Sequence, residues 1–337
     1  MLRRSEIALA VIGVGHWGRN LVRNFSALGA LRAVCDTDAA ARSRLALPDE
    51  IRWESDPSVL FSDPRIDAVA IATPAATHGA LARQALDAGK HVFVEKPLCL
   101  DLAEAEALGA LADRLGRVLM VGHLLLYHPA FDALSAELAR GGLGTLRYVY
   151  STRASLGRIR REENALWSFA PHDVSMILAL AGAMPDRVFS AGGAWLHPPV
   201  ADTSLTHLTF PGNVQAHVFV SWLHPYKDQR LVVVGSDGMA VFNDVEPGER
   251  KLLRYAHAVG WNGAVPSIDR AEATPISYDR EEPLARECAH FLDCVASDRR
   301  PRSCAHEGWR VLSVLDACQR SLSTGRAIRP EVGARSG

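Results

Sequence analysis

Short apolar runs alternate with segments of helical pattern over residues 1–123. The runs are rich in Val, Ile and Ala and show no polar alternation: IALAVIG, LRAVCD, DAVAIAT, HVFVEKP and VLMVGH. Continuous apolar runs of this kind are typical of strands buried on both faces, as in a parallel sheet. Helical patterns lie between them at residues 19–28, 78–88 and 102–115. This order predicts a doubly wound α/β domain.

The pattern changes after His123. Strand-like segments with period-two alternation, such as TSLTHLTFP and VQAHVFVSWLH, follow one another with turn signals between them. This succession predicts an α+β region with antiparallel strands, and helices are predicted at residues 172–181, 284–296 and 307–322. A chain of 337 residues suits two domains. We therefore predict a first domain over residues 1–123 and a second over residues 124–337.

Composition narrows the functional classes. The net charge is −1, and no basic block offers a face for nucleic acid. No apolar run approaches the ~18–20 residues that cross a bilayer, and the N-terminal apolar run is interpreted as a first strand rather than a signal peptide. The six cysteines are scattered without a Cys-x-x-Cys pair, which indicates reduced thiols in the cytoplasm and no metal site.

A glycine motif follows the first predicted strand. Gly13, Gly15 and Gly18 form G-x-G-x-x-G directly before the first predicted helix. The first glycine allows the tight turn, the second a close approach to a pyrophosphate, and the third the packing of helix on strand. Asp36 ends the second strand, where a carboxylate binds the adenosine ribose and disfavours a 2′-phosphate. We predict NAD as the cofactor, with NADP the less favoured alternative because arginines follow closely.

Other predicted cofactor contacts lie at strand ends, where ligands bind in open parallel sheets. Thr73 and Pro74 end one strand, and His78 begins the next helix, where a core or capping role is an equal alternative. The remaining predicted contacts are His16, Trp17, Glu95, Lys96, Pro97 and His123.

The residues Glu95, Lys96 and Pro97 close a buried strand, and a His-Asp pair begins at His172 in the second half. Together with the glycine motif, this arrangement resembles the Gfo/Idh/MocA oxidoreductases over nearly the whole chain. The resemblance implies that Lys96 lies near the substrate hydroxyl and the nicotinamide, that Pro97 is cis, and that Glu95 orders the cofactor ribose or the loop. It also implies an open, mostly antiparallel sheet in the second domain, which supplies the substrate pocket and the contacts of a homodimer or homotetramer.

Lys96 and His172 are the predicted catalytic residues of a dehydrogenase acting on a CH–OH group. Both side chains can exchange the hydroxyl proton of an alcohol that loses hydride. Many relatives carry an aspartate four residues before this histidine, whereas this chain has Ser168. Asp173 is adjacent instead and either orients the ring or caps the helix. Which of the two catalytic residues is the principal base therefore stays open at this stage.

The segment STRASLGRIRREENALWSFAPHD resembles a subgroup, the UDP-N-acetylglucosaminuronate 3-dehydrogenases of polysaccharide biosynthesis. Arginines in this loop suit a carboxylate or diphosphate. We therefore predict hydride transfer from C3 of a UDP-linked N-acetyl-hexosaminuronic acid to NAD. The alternatives are a deoxysugar 3-ketoreductase, a free polyol or inositol dehydrogenase, and, least favoured, a non-catalytic NAD-binding regulator. The predicted substrate contacts are Lys96, Tyr127, Arg158, Arg161, Asn164, Trp167 and His172.

Overall fold

The computed structural model describes residues 3–45, 47–156 and 159–333. The chain divides into two compact units, Met1–Tyr127 with Glu281–Leu312 and His128–Arg280 with Ser313–Gly337. The first break lies close to the predicted boundary at 123/124. However, residues 281–312, which the sequence assigned to the second domain, cluster with the first unit.

The structure contains the following strands: β1 (Leu9–Ile12), β2 (Leu31–Cys35), β3 (Arg52–Glu54), β4 (Ala68–Ile71), β5 (His91–Glu95), β6 (Leu119–Gly122), β7 (Leu146–Ala154), β8 (Arg187–Gly193), β9 (Thr203–Thr209), β10 (Gln215–Ser221), β11 (Asp228–Gly235), β12 (Met239–Asn243), β13 (Leu252–Tyr255), β14 (Ala258–Asn262), β15 (Val265–Asp269) and β16 (Ala273–Pro275). The α-helices are α1 (Gly18–Ala27), α2 (Pro57–Ser62), α3 (His78–Asp87), α4 (Leu102–Leu115), α5 (Pro129–Ala139), α6 (Ala165–Ala181), α7 (Pro283–Ser297) and α8 (Ala305–Thr324). Over the part of the chain described, no helix is long and apolar enough to span a membrane.

The first unit is built on a parallel sheet with the strand order β3-β2-β1-β4-β5-β6. Every residue of β1, β4, β5 and β6 is buried, which explains why the sequence shows no polar alternation there. The order reverses between β1 and β4, and the carboxyl ends of the parallel strands share one edge. The predicted doubly wound domain is confirmed.

Helix α7 packs within the first unit through aromatic side chains. The ring of Phe291 lies 5.8 Å from that of Phe93 on β5 and 6.4 Å from that of Phe25 on α1. All three rings are fully buried. This long-range packing returns residues 281–312 to the first unit, and the hydrophobic pattern of α7 does not reveal which sheet its apolar face covers.

The second unit contains an eight-stranded sheet with the order β16-β13-β12-β11-β7-β10-β9-β8. The pair β7–β10 is parallel and the other neighbouring pairs are antiparallel. Strands β14 and β15 form a separate hairpin. Burial alternates along β8 and β9, as expected for strands with one covered face. The predicted mostly antiparallel sheet is confirmed.

Helix α6 is longer than the sequence predicted. The prediction placed its start at His172, directly after Pro171, but the helix begins at Ala165 and runs through that proline. Its N-cap is Asn164, whose Oδ1 accepts a hydrogen bond from the Trp167 N–H at 3.1 Å. His172 therefore lies inside the helix rather than at its first residue.

Candidate active site

The three motif glycines of the first unit differ in what a side chain at each position would contact. Gly13 has φ +85°, and a Cβ there would lie 2.8 Å from the backbone nitrogen of Thr73. A Cβ at Gly18 would lie 1.9 Å from the Gly13 carbonyl oxygen. A Cβ at Gly15 would meet no atom within 4 Å. Two glycines are thus required by the fold, whereas Gly15 borders open space where a pyrophosphate can approach the backbone.

Asp36 directly follows β2 and binds the backbone of the glycine loop. Its carboxylate accepts the Val14 N–H at 2.7 Å and the Asp38 N–H at 2.9 Å. A carboxylate has further acceptor positions, so it can also accept the hydroxyls of a ribose. The guanidinium of Arg44 forms an ion pair with Asp38, which removes one of the cations that favoured the NADP alternative. The glycines and Asp36 therefore fit a bound NAD.

Trp17 connects the glycine motif to β5. Its indole Nε1–H donates a hydrogen bond to Oε1 of Glu95, a contact that the sequence did not predict. On the neighbouring strand, Gly122 pairs with Glu95, and a Cβ there would lie 3.0 Å from Oε2 of the carboxylate. Burial raises the pKa of Glu95 to about 7 although the Trp17 N–H opposes this shift. Of the two roles proposed for Glu95, the geometry supports ordering of the loop.

The ring of His78 lies between the loops that follow β4 and β5. Its Nδ1 lies 2.7 Å from the carbonyl oxygen of Pro97, and its Nε2 lies 2.8 Å from that of Thr73. The side chain is buried, and burial lowers its pKa. Because both ring nitrogens face protein carbonyls, His78 fixes the loops after β4 and β5 rather than offering a ring nitrogen to the cofactor.

Lys96 follows β5 and is half-buried. The bond between Lys96 and Pro97 is cis, as the family resemblance implied. His123, at the end of β6, is 2% exposed, and neither ring nitrogen has a hydrogen-bond partner among the described residues. Burial, followed by the charge of Lys96, lowers the pKa of His123 to about 3. His123 is therefore neutral at physiological pH, and its contact with the cofactor stays a prediction.

Tyr127, a predicted substrate contact, is buried and bound within the first unit. It is 3% exposed, and its hydroxyl lies 2.9 Å from Oγ of Ser303. The backbone N–H of Ser303 also donates to the Tyr127 oxygen at 3.2 Å. The guanidinium of Arg302 lies 5.3 Å from the ring centroid. The hydroxyl and the ring of Tyr127 are both engaged inside the first unit, and its contact with substrate stays a prediction.

In the second unit, His172 is half-buried on α6 and Asp173 is completely buried. Arg153 on β7 binds Asp173 through two hydrogen bonds, at 2.8 and 3.3 Å. Burial raises the pKa of Asp173, and the guanidinium opposes this shift. Asp173 does not cap the helix, because α6 begins well before it. Its carboxylate binds Arg153, and an orienting role towards the His172 ring stays a prediction.

Charged side chains in the loop before α6 pair with one another. Arg160 forms an ion pair with Glu163 at 3.0 Å, and the Ser168 hydroxyl donates to the same carboxylate at 2.7 Å. Arg161 is exposed, and its contact with substrate stays a prediction. Arg158 lies outside the described residues. The serine at the position where relatives carry an aspartate is thus bound to a nearby glutamate.

Asn164 and Trp167, both predicted to bind substrate, share a partner within their own unit. The Asn164 amide donates to Oε1 of Gln319 on α8 at 2.7 Å, and the Trp167 indole N–H donates to the same oxygen at 3.2 Å. Because Asn164 also caps α6, one N–H and one lone pair of its amide are in use within the protein. These contacts give Asn164 a role in the fold, and its contact with substrate stays a prediction.

The residues predicted from the sequence do not include Gln319, Arg153 or Glu287. Glu287 is 0% exposed on α7, four residues before the buried Phe291 in the segment LARECAHFLDCV. A carboxylate on the apolar face of a predicted helix is a signal that the sequence does contain. For Gln319 and Arg153 the sequence contains no comparable signal, since their partners are distant along the chain.

Comparisons with known proteins agree with this fold. Residues 7–123 match the model of an oxidoreductase family with an NAD-binding Rossmann fold, and residues 131–241 match the model of the GFO/IDH/MocA C-terminal domain.

Among curated relatives, a UDP-N-acetylglucosamine 3-dehydrogenase from Acidithiobacillus ferrooxidans is 31% identical over 90% of this chain and 93% of its own. A scyllo-inositol 2-dehydrogenase (NAD(+)) from Bacillus subtilis is 26% identical over 97% of both chains. The crystal structure of the Acidithiobacillus enzyme superposes with a TM-score of 0.82 and 27% identity, over 94% of this chain and 97% of that chain. A putative oxidoreductase from Magnetospirillum magnetotacticum gives a TM-score of 0.80 and 32% identity, over 93% of this chain and 99% of that one.

Proposed function

The chain belongs to the GFO/IDH/MocA family of NAD-binding oxidoreductases, and we propose that it transfers hydride between NAD and C3 of a UDP-linked N-acetylated sugar. The observation that carries this proposal is the similarity to a UDP-N-acetylglucosamine 3-dehydrogenase over almost the whole length of both chains. The uronic acid form of that sugar, which the sequence predicts, is the first alternative substrate to test. Arg160, one of the loop arginines that suit a carboxylate or diphosphate, is paired with Glu163 instead.

The cofactor is held by the first unit. The backbone at Gly15 and the N-terminus of α1 would bind the pyrophosphate, and Asp36 would accept the ribose hydroxyls. Bound NAD supplies the acceptor, or the donor, of the hydride. Trp17 and Glu95 keep the glycine loop against β5.

The hydroxyl proton is handled by Lys96 and His172. Lys96 lies directly before Pro97 in the loop after β5. His78 binds the carbonyl oxygens of Pro97 and Thr73 and so fixes this loop to the one after β4. His172 suits the same task because imidazole titrates near neutral pH. On oxidation, the proton leaves the substrate oxygen for a nitrogen of one of these two residues, and on reduction it returns.

The test is NADH formation by the purified protein with a substrate panel. The panel contains UDP-N-acetylglucosamine, its uronic acid, scyllo-inositol and myo-inositol. We expect turnover with a UDP-linked sugar and a rate at least tenfold lower with the free inositols. Turnover of an inositol alone, with none on either UDP-sugar, contradicts the proposal.

A free polyol is the second candidate substrate. Asn164 and Trp167 bind Gln319 and so offer few polar groups to a nucleotide sugar, and a scyllo-inositol 2-dehydrogenase is similar over almost the whole chain. Competition by UDP separates the two candidates, since UDP inhibits only an enzyme that binds the nucleotide part of its substrate.

We also propose a homodimer or homotetramer that associates through the outward face of the eight-stranded sheet. Leu205 on β9 is 51% exposed, and its antiparallel neighbours on that face include Phe219. Phe189 on β8 is also exposed. An exposed apolar sheet face is typical of a protein interface. Sedimentation of the wild type and of Leu205→Glu tests this, with a smaller species expected for the variant.

A further inference from the structure

Glu287 on α7 is a completely buried carboxyl group with no assigned role. It is 0% exposed, and neither of its oxygens accepts a hydrogen bond from any donor among the residues that the structure describes. Buried polar groups in native proteins nearly always have a partner, so this exception requires an explanation. An ionised carboxylate left unpaired in such a place costs several kcal/mol, and the group takes up a proton instead.

The packing of α7 places Glu287 towards Glu95. Phe291 is four residues after Glu287, so both side chains lie on one face of the helix. Phe93 is two residues before Glu95, so these two side chains lie on one face of β5. The rings of Phe291 and Phe93 are 5.8 Å apart, which brings the two faces together.

The groups around Glu287 leave few acceptors for its proton. The titratable and charged groups that act on Glu287 or Glu95 are Lys96 after β5, Tyr127, and Cys288 on α7. Arg23 from α1 and Glu282 interact with Cys288. Glu282 is bound by Arg23 at 3.1 Å, and the Tyr127 hydroxyl is bound to Ser303. Glu95 accepts the indole N–H of Trp17 at Oε1 and a hydrogen bond from the backbone of Lys96, and a carboxylate has acceptor positions for a further donor.

We propose that Glu287 is a positioning residue of the cofactor loop, which stays protonated and donates its O–H to the carboxylate of Glu95. Glu95 in turn accepts the indole N–H of Trp17 in the glycine motif. This role of Glu287 rests on the proposed function only where it links the NAD loop to the proton transfer by Lys96. Three side chains from separate elements thus hold the loop by two consecutive hydrogen bonds.

The charge of this pair follows from burial. Burial, and then the charge of Glu95, raises the pKa of Glu287 well above its usual range, whereas the pKa of Glu95 is about 7. Below about pH 7 both carboxyls are protonated, and above it Glu95 carries the single negative charge. The bond from Trp17 to Glu95 is therefore charge-assisted, and stronger, on the alkaline side.

Infrared spectroscopy tests the proton on Glu287 directly. At about pH 9, ~two units above the titration of Glu95, a carboxylic-acid C=O band is expected in the wild type. Glu287→Gln should lose this band. The matched control is Glu137→Gln, because Glu137 is also buried but is paired with Arg140 and Arg254. An identical acid band in the wild type and in Glu287→Gln overturns the proposal.

The fluorescence of Trp17 tests the positioning role. The chain has seven tryptophans, so the signal of Trp17 is defined by difference from Trp17→Phe. Glu287→Leu removes the donor to Glu95, and the midpoint of the Trp17 titration should rise by about one pH unit, the equivalent of one hydrogen bond. NAD affinity at neutral pH should fall about three- to tenfold, and Glu287→Gln should restore it.

An unchanged midpoint in a folded Glu287→Leu variant also overturns the proposal. If that variant does not fold, the infrared result with Glu287→Gln decides alone. Neither measurement uses the sugar substrate. Failure of the substrate panel and failure of this inference are therefore separate outcomes.

Discussion

The strand ends of the first unit and the start of α6 in the second unit use their polar side chains differently. At the strand ends, Gly15 borders open space and Asp36 retains free acceptor positions. At the start of α6, Asn164 caps the helix and binds Gln319. Backbone and carboxylate groups at the strand ends thus remain available to a ligand, whereas the polar side chain at the start of α6 completes the fold.

The difference has a structural cause. The carboxyl ends of parallel strands lie at one edge of the sheet, and their backbone groups are already paired along the strands. A helix N-terminus leaves backbone N–H groups without partners, so a nearby Asn, Ser or Asp is used to cap them. A polar side chain directly before a helix is therefore weaker evidence for a ligand site than one directly after a parallel strand.

The largest expected effect comes from Lys96→Ala. Loss of a group that moves a proton in the transition state should lower kcat by about 10²–10⁴-fold. The affinity for NAD should change less than about threefold, because the glycine loop is untouched. Lys227→Ala, at an exposed lysine in the second unit, is the control. A Lys96→Ala enzyme with wild-type kcat would remove this residue from the catalytic assignment.

Asp173→Asn should act on stability. It leaves the buried Arg153 without its charge partner, so the free energy of unfolding should fall by about 3–5 kcal/mol. Replacing both partners, as in Arg153→Met with Asp173→Leu, should recover much of this loss. Denaturant unfolding measures both variants. If Asp173 orients His172 instead, the single variant will lose kcat and keep its stability.

Gly15→Ala should act on the cofactor and spare the fold. The added Cβ meets no protein atom within 4 Å, but it narrows the approach to the pyrophosphate. The Kd for NAD should rise about tenfold, which is about 1.4 kcal/mol. Gly13→Ala is the contrast, because its Cβ meets the backbone of Thr73 and the protein itself should be destabilised. Titration calorimetry and thermal unfolding together separate the two glycines.

Asn164→Ala should give the smallest effect. Loss of the N-cap should cost about 1 kcal/mol of stability, with KM unchanged. Asn164→Asp keeps the cap and should restore most of the loss. A higher KM for the sugar substrate at unchanged stability would return Asn164 to the substrate site and weaken the contrast between the two regions.

Local patterns along the sequence determined the parallel sheet, the antiparallel sheet, the glycine loop and the position of Lys96 after β5. Each depends on neighbours a few residues apart, where the periodicity of strands and the geometry of a turn leave little choice. The Asn164 cap is also local, yet the sequence predicts a ligand contact there because a polar side chain before a helix serves either purpose.

Tertiary structure alone decided which polar groups meet. The pairs Arg153 with Asp173, and Asn164 with Gln319, join residues far apart in the chain, and no periodicity encodes a partner on another element. The same holds for Glu287, because the apolar face of α7 packs within the first unit. The sequence thus determined which chemical groups stand at the ends of which elements. Packing determined which of those groups are neutralised inside the protein and which remain for a ligand, because burial makes an unpaired polar group too costly to leave alone.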